Sequence, residues 1–177
     1  MKYEVLKSER VYTGRAFSVR NDRLRMDRGH IASMDIVEHN SSVTILPVDE
    51  QGRIWFVRQL RYPVGDWILE LPAGVIEPSE DPRDTAQREL QEEIGVAAES
   101  LDLIGEFYLA PGYSTELMYV YLAKGLFASP LEGDLDERIE IVILEKREAY
   151  QMVEDGEIRD AKTIAALYLG RSRLGVV

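Results

Sequence analysis

Glu89, Glu92 and Glu93 crowd three carboxylates into five positions of one chain segment. At about 100° per residue, Ala86, Leu90 and Ile94 form a narrow apolar stripe, and the three glutamates fill an arc about 100° wide beside it. Carboxylates so placed repel one another by a few tenths of a kcal/mol per pair, and by more where water is partly excluded. A hard divalent cation reverses that sign, because oxygen ligands are what Mg²⁺ takes. The competing reading is a solvated acidic helix face.

The flanking residues fix the element that must carry these side chains. Asp81 can cap a helix, Pro82 suits its first position, and Asp84 falls in the first turn, where negative charge is favourable. Gly95 suits the exit. A helix of about three and a half turns is predicted between them. The residues from Gly74 to Glu80 are predicted to form a turn leading into it.

Gly74, then Glu80 after five intervening residues, then Arg88-Glu89-Leu90-x-Glu92-Glu93-x-Gly95-Val96, resembles the Nudix hydrolase box. That resemblance implies an α/β (mixed α+β) fold: a mixed sheet sandwiched between helices, with the box as loop–helix–loop at one end and a small β-rich segment at the N-terminus. It implies metal-assisted cleavage of a phosphoanhydride by water, with more than one Mg²⁺ or Mn²⁺. The implied metal ligands are Glu89, Glu93 and the carbonyl of Ala73, with Glu92 joining or orienting a second ion. Gly74 would let that backbone approach closely. Arg88 and Glu80 read as an opposite pair bracing the loop on the helix.

Composition is consistent with such an enzyme. The 177 residues suffice for one domain with a proper core, and 45% hydrophobic with 30% charged residues is ordinary globular usage. The chain has no cysteine, so disulfides, thiolate metal sites and a cysteine nucleophile are excluded. A net charge of −11 argues against a general nucleic-acid binder. It also means that a polyanionic substrate must be met by local basic groups or by metal ions. No apolar run reaches membrane-spanning length and the first residues lack a signal-peptide core, so no membrane partner and a cytoplasmic location are expected.

Residues 3–40 alternate as strands at Tyr3–Val11, Phe17–Met26 and Ile31–Val37, with too few large apolar residues to fold alone. Packing on the rest of the chain or on a second subunit are both open from pattern. The resemblance favours a dimerisation segment at 1–40 and a Nudix domain at 41–177, that is, a homodimer. Val43–Val48 and Ile54–Gln59 are predicted as a hairpin about Asp49-Glu50-Gln51-Gly52. Further strands are predicted at Trp67–Leu71, Leu101–Leu109, Leu117–Leu122 and Ile139–Leu144. Helices are predicted at Arg147–Glu154 and after Asp160, the latter burying Ile164, Leu167 and Tyr168.

Outside the box, Ala110-Pro111-Gly112, sixteen residues beyond Gly95 at Pro111, resembles a loop of ADP-ribose pyrophosphatases. So do Arg58-Gln59-Leu60-Arg61-Tyr62-Pro63 and Glu70-Leu71-Pro72-Ala73-Gly74. The likeness implies Glu116 on the ribose hydroxyls, Arg61 near the pyrophosphate, and Val75 and His39 on the substrate, with His39 coming from a dimer partner. The planar fork of an arginine suits a diphosphate. Tyr12 and Phe17 read as packing residues, though the likeness also offers Phe17 for stacking adenine.

The subgroup carries two glutamates before its penultimate strand, one a general base and one a metal ligand. The second aligns with Glu137 and the first with Leu135, which takes no proton. The base is therefore Glu137, a shifted Glu132 or Asp134, or a box glutamate such as Glu92 or Glu93. The expected reaction is hydrolysis of a nucleoside diphosphate sugar, with ADP-ribose giving AMP and ribose 5-phosphate. The tail Gly156–Thr163 also resembles enzymes acting on GDP-mannose, and a non-catalytic Nudix-fold sensor is the remote alternative.

Overall fold

The computed structural model describes residues 2–133 and 138–176. The chain divides into two compact units. One comprises the residues up to Ser41 with Tyr108–Leu117; the other comprises Ser42–Phe107 and the residues from Met118 onward.

In the first unit, β1 (Tyr3–Thr13), β2 (Ser18–Met26) and β3 (Ile31–Glu38) form an antiparallel meander in that order. The turn from β2 to β3 is a single 3₁₀ turn, Asp27–Gly29, with Arg28 and Gly29 at φ 67° and 80°. Alternating apolar and polar residues make the strands, as expected, but β1 is exposed along its whole length. The rings of Tyr12 and Phe17 pack on each other with centroids 5.8 Å apart. Val37 N donates to Tyr113 O at 2.7 Å and Thr115 N donates to Val37 O at 3.0 Å, tying the second segment of this unit to β3.

The second unit holds β4 (Ser42–Pro47), β5 (Ile54–Arg61), β6 (Asp66–Glu70), β7 (Ala73–Val75), α1 (Pro82–Ile94) and most of β8 (Val96–Tyr108) and β9 (Leu117–Ala128). It ends with β10 (Ile139–Leu144), α2 (Lys146–Glu154) and α3 (Ala161–Gly170). One sheet runs β7-β4-β9-β8, with β4 parallel to β9 and antiparallel to β7. The other, β10-β5-β6, is antiparallel. Every residue of β4 is buried. Its period-2 alternation sends Val43 and Ile45 into a cluster with Ala86, Leu90 and Ile94 of α1. Leu46 goes the other way, into a cluster with Phe56, Leu122 and, from α3, Leu167. This is the predicted mixed sheet between helices. No helix among the described residues is long and apolar enough to cross a membrane.

Several local expectations are corrected. The turn at Asp49–Gly52 exists, with Gly52 at φ 79°, but β4 and β5 share only the bridge Val48–Ile54 before diverging into different sheets. The start of the box is not all turn: Ala73–Val75 pairs with Thr44–Ser42 as a three-residue strand. β8 begins directly after α1, five residues earlier than predicted, and β9 runs on to Ala128. On α3 the buried positions include Thr163, Ala166, Leu167 and Gly170, whereas Tyr168 is 73% exposed. Tyr168 lies a further 100° round the helix from Leu167, beyond the buried stripe.

Candidate active site

α1 is capped as its sequence demands. Asp81 accepts from Arg83 N at 2.8 Å, Pro82 opens the helix, and Gly95 closes it at φ 72°, in the left-handed region. Burying Ala86, Leu90 and Ile94 fixes the rotation of the helix and turns Glu89 and Glu93 toward β7. Glu93 Oε2 accepts from Ala73 N at 3.1 Å. The carboxylate of Glu89 lies over Gly74 so closely that a Cβ at position 74 would fall 1.9 Å from Glu89 Oε1. Two carboxylates from one helix therefore converge on the Ala73–Gly74 backbone of one short strand.

Arg88 does more than the expected bracing of Glu80. Its Nε donates to Glu80 Oε1 at 3.0 Å, and its Nη1 donates to Glu89 Oε1 at 2.7 Å and Glu92 Oε2 at 2.8 Å. The bond from Arg88 outweighs burial and holds the Glu80 carboxyl down to about 2. The guanidinium in turn is held firmly protonated by its bond with Glu80, against the opposing effect of its own burial. A cation thus sits among the glutamates and offsets their mutual repulsion. Among the described residues, no three acidic or histidine side chains converge as a ready-made metal cage. The donor chemistry nonetheless fits a hard divalent ion: carboxylate oxygens, one set buried against a glycine that leaves room for nothing else, beside a backbone segment.

Val75 is exposed at the end of β7, and its carbonyl accepts from Arg88 Nη2 at 3.4 Å. Arg61 ends β5 and makes a two-pronged bond to Glu70: Nε and Nη2 reach Oε1 and Oε2 at 2.7 Å each. Glu70 is buried and also accepts from Lys162. Burial pushes the Glu70 carboxyl up, but the bond from Arg61 and the charge of Lys162 outweigh it and hold it below its ordinary value. Within the other unit, His39 Nδ1 stands 3.7 Å from Glu116 Oε1. His39 is pinned there by Thr115 Oγ1, which accepts from His39 N at 3.0 Å and donates to His39 O at 3.1 Å. Glu132 is exposed. Glu137, Leu135 and Asp134 lie outside the described residues.

Sequence reasoning missed two features. The first is the pairing of Glu70 with Lys162, 92 residues apart, a separation with no periodic signature. The second is Gln59, buried on the strand face that also carries Arg61, whose Oε1 has no hydrogen-bond partner among the described residues. Both positions lie in stretches that the sequence marked, Arg58–Pro63 and Gly156–Thr163, but nothing in those stretches distinguishes them.

Known proteins resemble this chain over most of its length. The NUDIX domain model matches residues 38–167. The methanol dehydrogenase activator of Bacillus methanolicus is 33% identical over 166 residues, 93% of this chain and 90% of the relative. The ADP-ribose pyrophosphatase of Bacillus subtilis (strain 168) is 34% identical over 169 residues, 94% of this chain and 91% of the relative. A crystal structure of an ADP compounds hydrolase superposes with a TM-score of 0.91 at 27% identity, covering 100% of this chain and 98% of that one. With a helix that folds its glutamates onto a glycine strand and a family match across most of its length, the chain belongs to the NUDIX domain family.

Proposed function

We propose that this protein hydrolyses the pyrophosphate bond of a nucleoside diphosphate sugar, with ADP-ribose as substrate and AMP and ribose 5-phosphate as products. The observation that carries the reading is the convergence of Glu89 and Glu93 on Ala73 and Gly74. The likeness to an ADP-ribose pyrophosphatase supports the choice of substrate.

In this reading Glu89, Glu93 and the carbonyl of Ala73 hold magnesium or manganese, and Glu92 serves a second ion. Such ions, when bound, polarise phosphoryl oxygens and lower the pKa of water. Arg61, its guanidinium plane oriented by Glu70, lies at the diphosphate, with Val75, Glu116 and, from the dimer partner, His39 as further substrate contacts. A carboxylate, Glu137 or a box glutamate, takes the proton of the attacking water. The water oxygen bonds to one phosphorus as the bridging P–O bond breaks, and the bridge oxygen leaves on the other phosphate. The segment 1–40 serves dimerisation, 41–177 is the hydrolase domain, and the enzyme works in the cytoplasm.

A panel of ADP-ribose, GDP-mannose and other nucleotide sugars, assayed with Mg²⁺ and with Mn²⁺ for released monophosphate, tests this. ADP-ribose should turn over fastest. Faster release of GMP from GDP-mannose would move the assignment to that sugar. Tight binding with no product under either ion would make the protein a sensor.

A further inference from the structure

We infer that Lys162 is a positioning residue for Arg61, acting through the carboxylate of Glu70 that the two cations share. The inference rests on the proposed role of Arg61 at the substrate diphosphate.

Glu70 has 2% of its surface exposed, and both of its oxygens are taken by Arg61. A fork of this kind transmits orientation: the guanidinium plane follows the carboxylate plane. Something must therefore fix the carboxylate. Lys162, itself 8% exposed, donates to Glu70 Oε2. Its ammonium is anchored in turn by Asp160 Oδ2 at 3.0 Å. Asp160 is the N-cap of α3, accepting from Thr163 N at 3.0 Å and from Thr163 Oγ1 at 2.6 Å. Thr163 Oγ1 also accepts from Leu71 N at 2.8 Å. The first turn of α3 and the end of β6 are thus one hydrogen-bonded assembly, and Arg61 is its outermost member.

Arg61 has 38% of its side chain exposed, against 10% for Lys162 and 3% for Glu70. It borders a cavity of about 400 Å³ lined also by Val64, Glu70, Arg159, Asp160 and Lys162. Buried ion pairs add little net stability compared with apolar packing, so stability alone is a poor reason for placing a lysine here. Preorganising a long, rotamer-rich arginine toward a cavity is a better one, because the ordering is done before a ligand arrives.

Steady-state kinetics on ADP-ribose with Mg²⁺ test the inference in wild type, Arg61→Ala, Lys162→Met, Lys162→Arg and the Arg61→Ala/Lys162→Met double variant. Lys162→Met should raise KM about tenfold with kcat within about threefold, the loss of a charge-assisted anchor. Lys162→Arg should restore most of the affinity. The double variant should match Arg61→Ala alone, because Lys162 has no effect to exert without Arg61. An additive double variant, or a fall in melting temperature with KM unchanged, would make Lys162 structural and overturn the inference. If Lys162→Met does not fold, Asp160→Asn, which keeps a capping oxygen but removes the negative charge that anchors the ammonium, carries the same KM comparison with the same consequences. An active wild type with an additive double variant sinks only the role of Lys162. An inactive wild type sinks the functional reading, and the inference with it.

Discussion

A Cβ built on Gly74 lands 1.9 Å from Glu89 Oε1 and 2.0 Å from Glu89 Cδ, so even alanine cannot enter without moving that carboxylate. Glu89 cannot retreat freely, because Arg88 holds it from the other side at 2.7 Å. Gly74→Ala is therefore expected to leave the fold intact and cut turnover about a hundredfold or more through a displaced metal ligand. Circular dichroism alongside ADP-ribose kinetics at raised Mg²⁺ checks this; normal turnover would show that the close approach is incidental. The resemblance put Gly74 and Glu89 in one box and the glutamate arc was readable as geometry, but that the Glu89 carboxylate lies over Gly74 is seen only in the fold. The sequence did not reveal that Arg88 serves three carboxylates, because Glu89 is its sequence neighbour and only side-chain rotamers bring the two together. Nor could it reveal Lys162 on Glu70, a contact made by the tertiary fold alone.

Among elements, α1 was the most legible, since its start, stop and buried stripe are all written in local chemistry. β7 was not, because three residues make a strand only when a partner is present, and that partner, β4, lies about thirty positions away. The loop between β7 and α1 is tied to the helix by Glu80 on Arg88. Folding lowers the Glu80 carboxyl from 4.5 to about 2, so its contribution is complete above about pH 4.5 and is lost as pH falls through about 2. Urea melts from pH 7 to pH 2 should show Glu80→Gln about 1–2 kcal/mol less stable at neutral pH, the gap closing on acidification. A gap that stays constant with pH would contradict the brace.

For the whole molecule, the proposed dimer contact is expected on the exposed sheet of the first unit. β1 shows Tyr3, Val5, Val11 and Tyr12 to solvent, with Phe17, Ile31 and Met34 exposed elsewhere in the unit. Monomeric proteins rarely leave so many large apolar side chains uncovered in so small a unit. Sedimentation equilibrium is expected to give about twice the chain mass of 20.2 kDa, and Val5→Asp with Val11→Asp to shift it toward one chain. A monomer at all concentrations would remove the dimer from the proposal. The claim on which the account depends is that Glu93 and its neighbours act through a divalent ion on a diphosphate bridge. Its most direct test is AMP release from ADP-ribose by wild type and Glu93→Gln, each titrated with Mg²⁺. The account predicts saturable, Mg²⁺-dependent release by the wild type and a loss of about a thousandfold in the variant with its fold retained; equal rates, or release that ignores added Mg²⁺ and chelator alike, would contradict it.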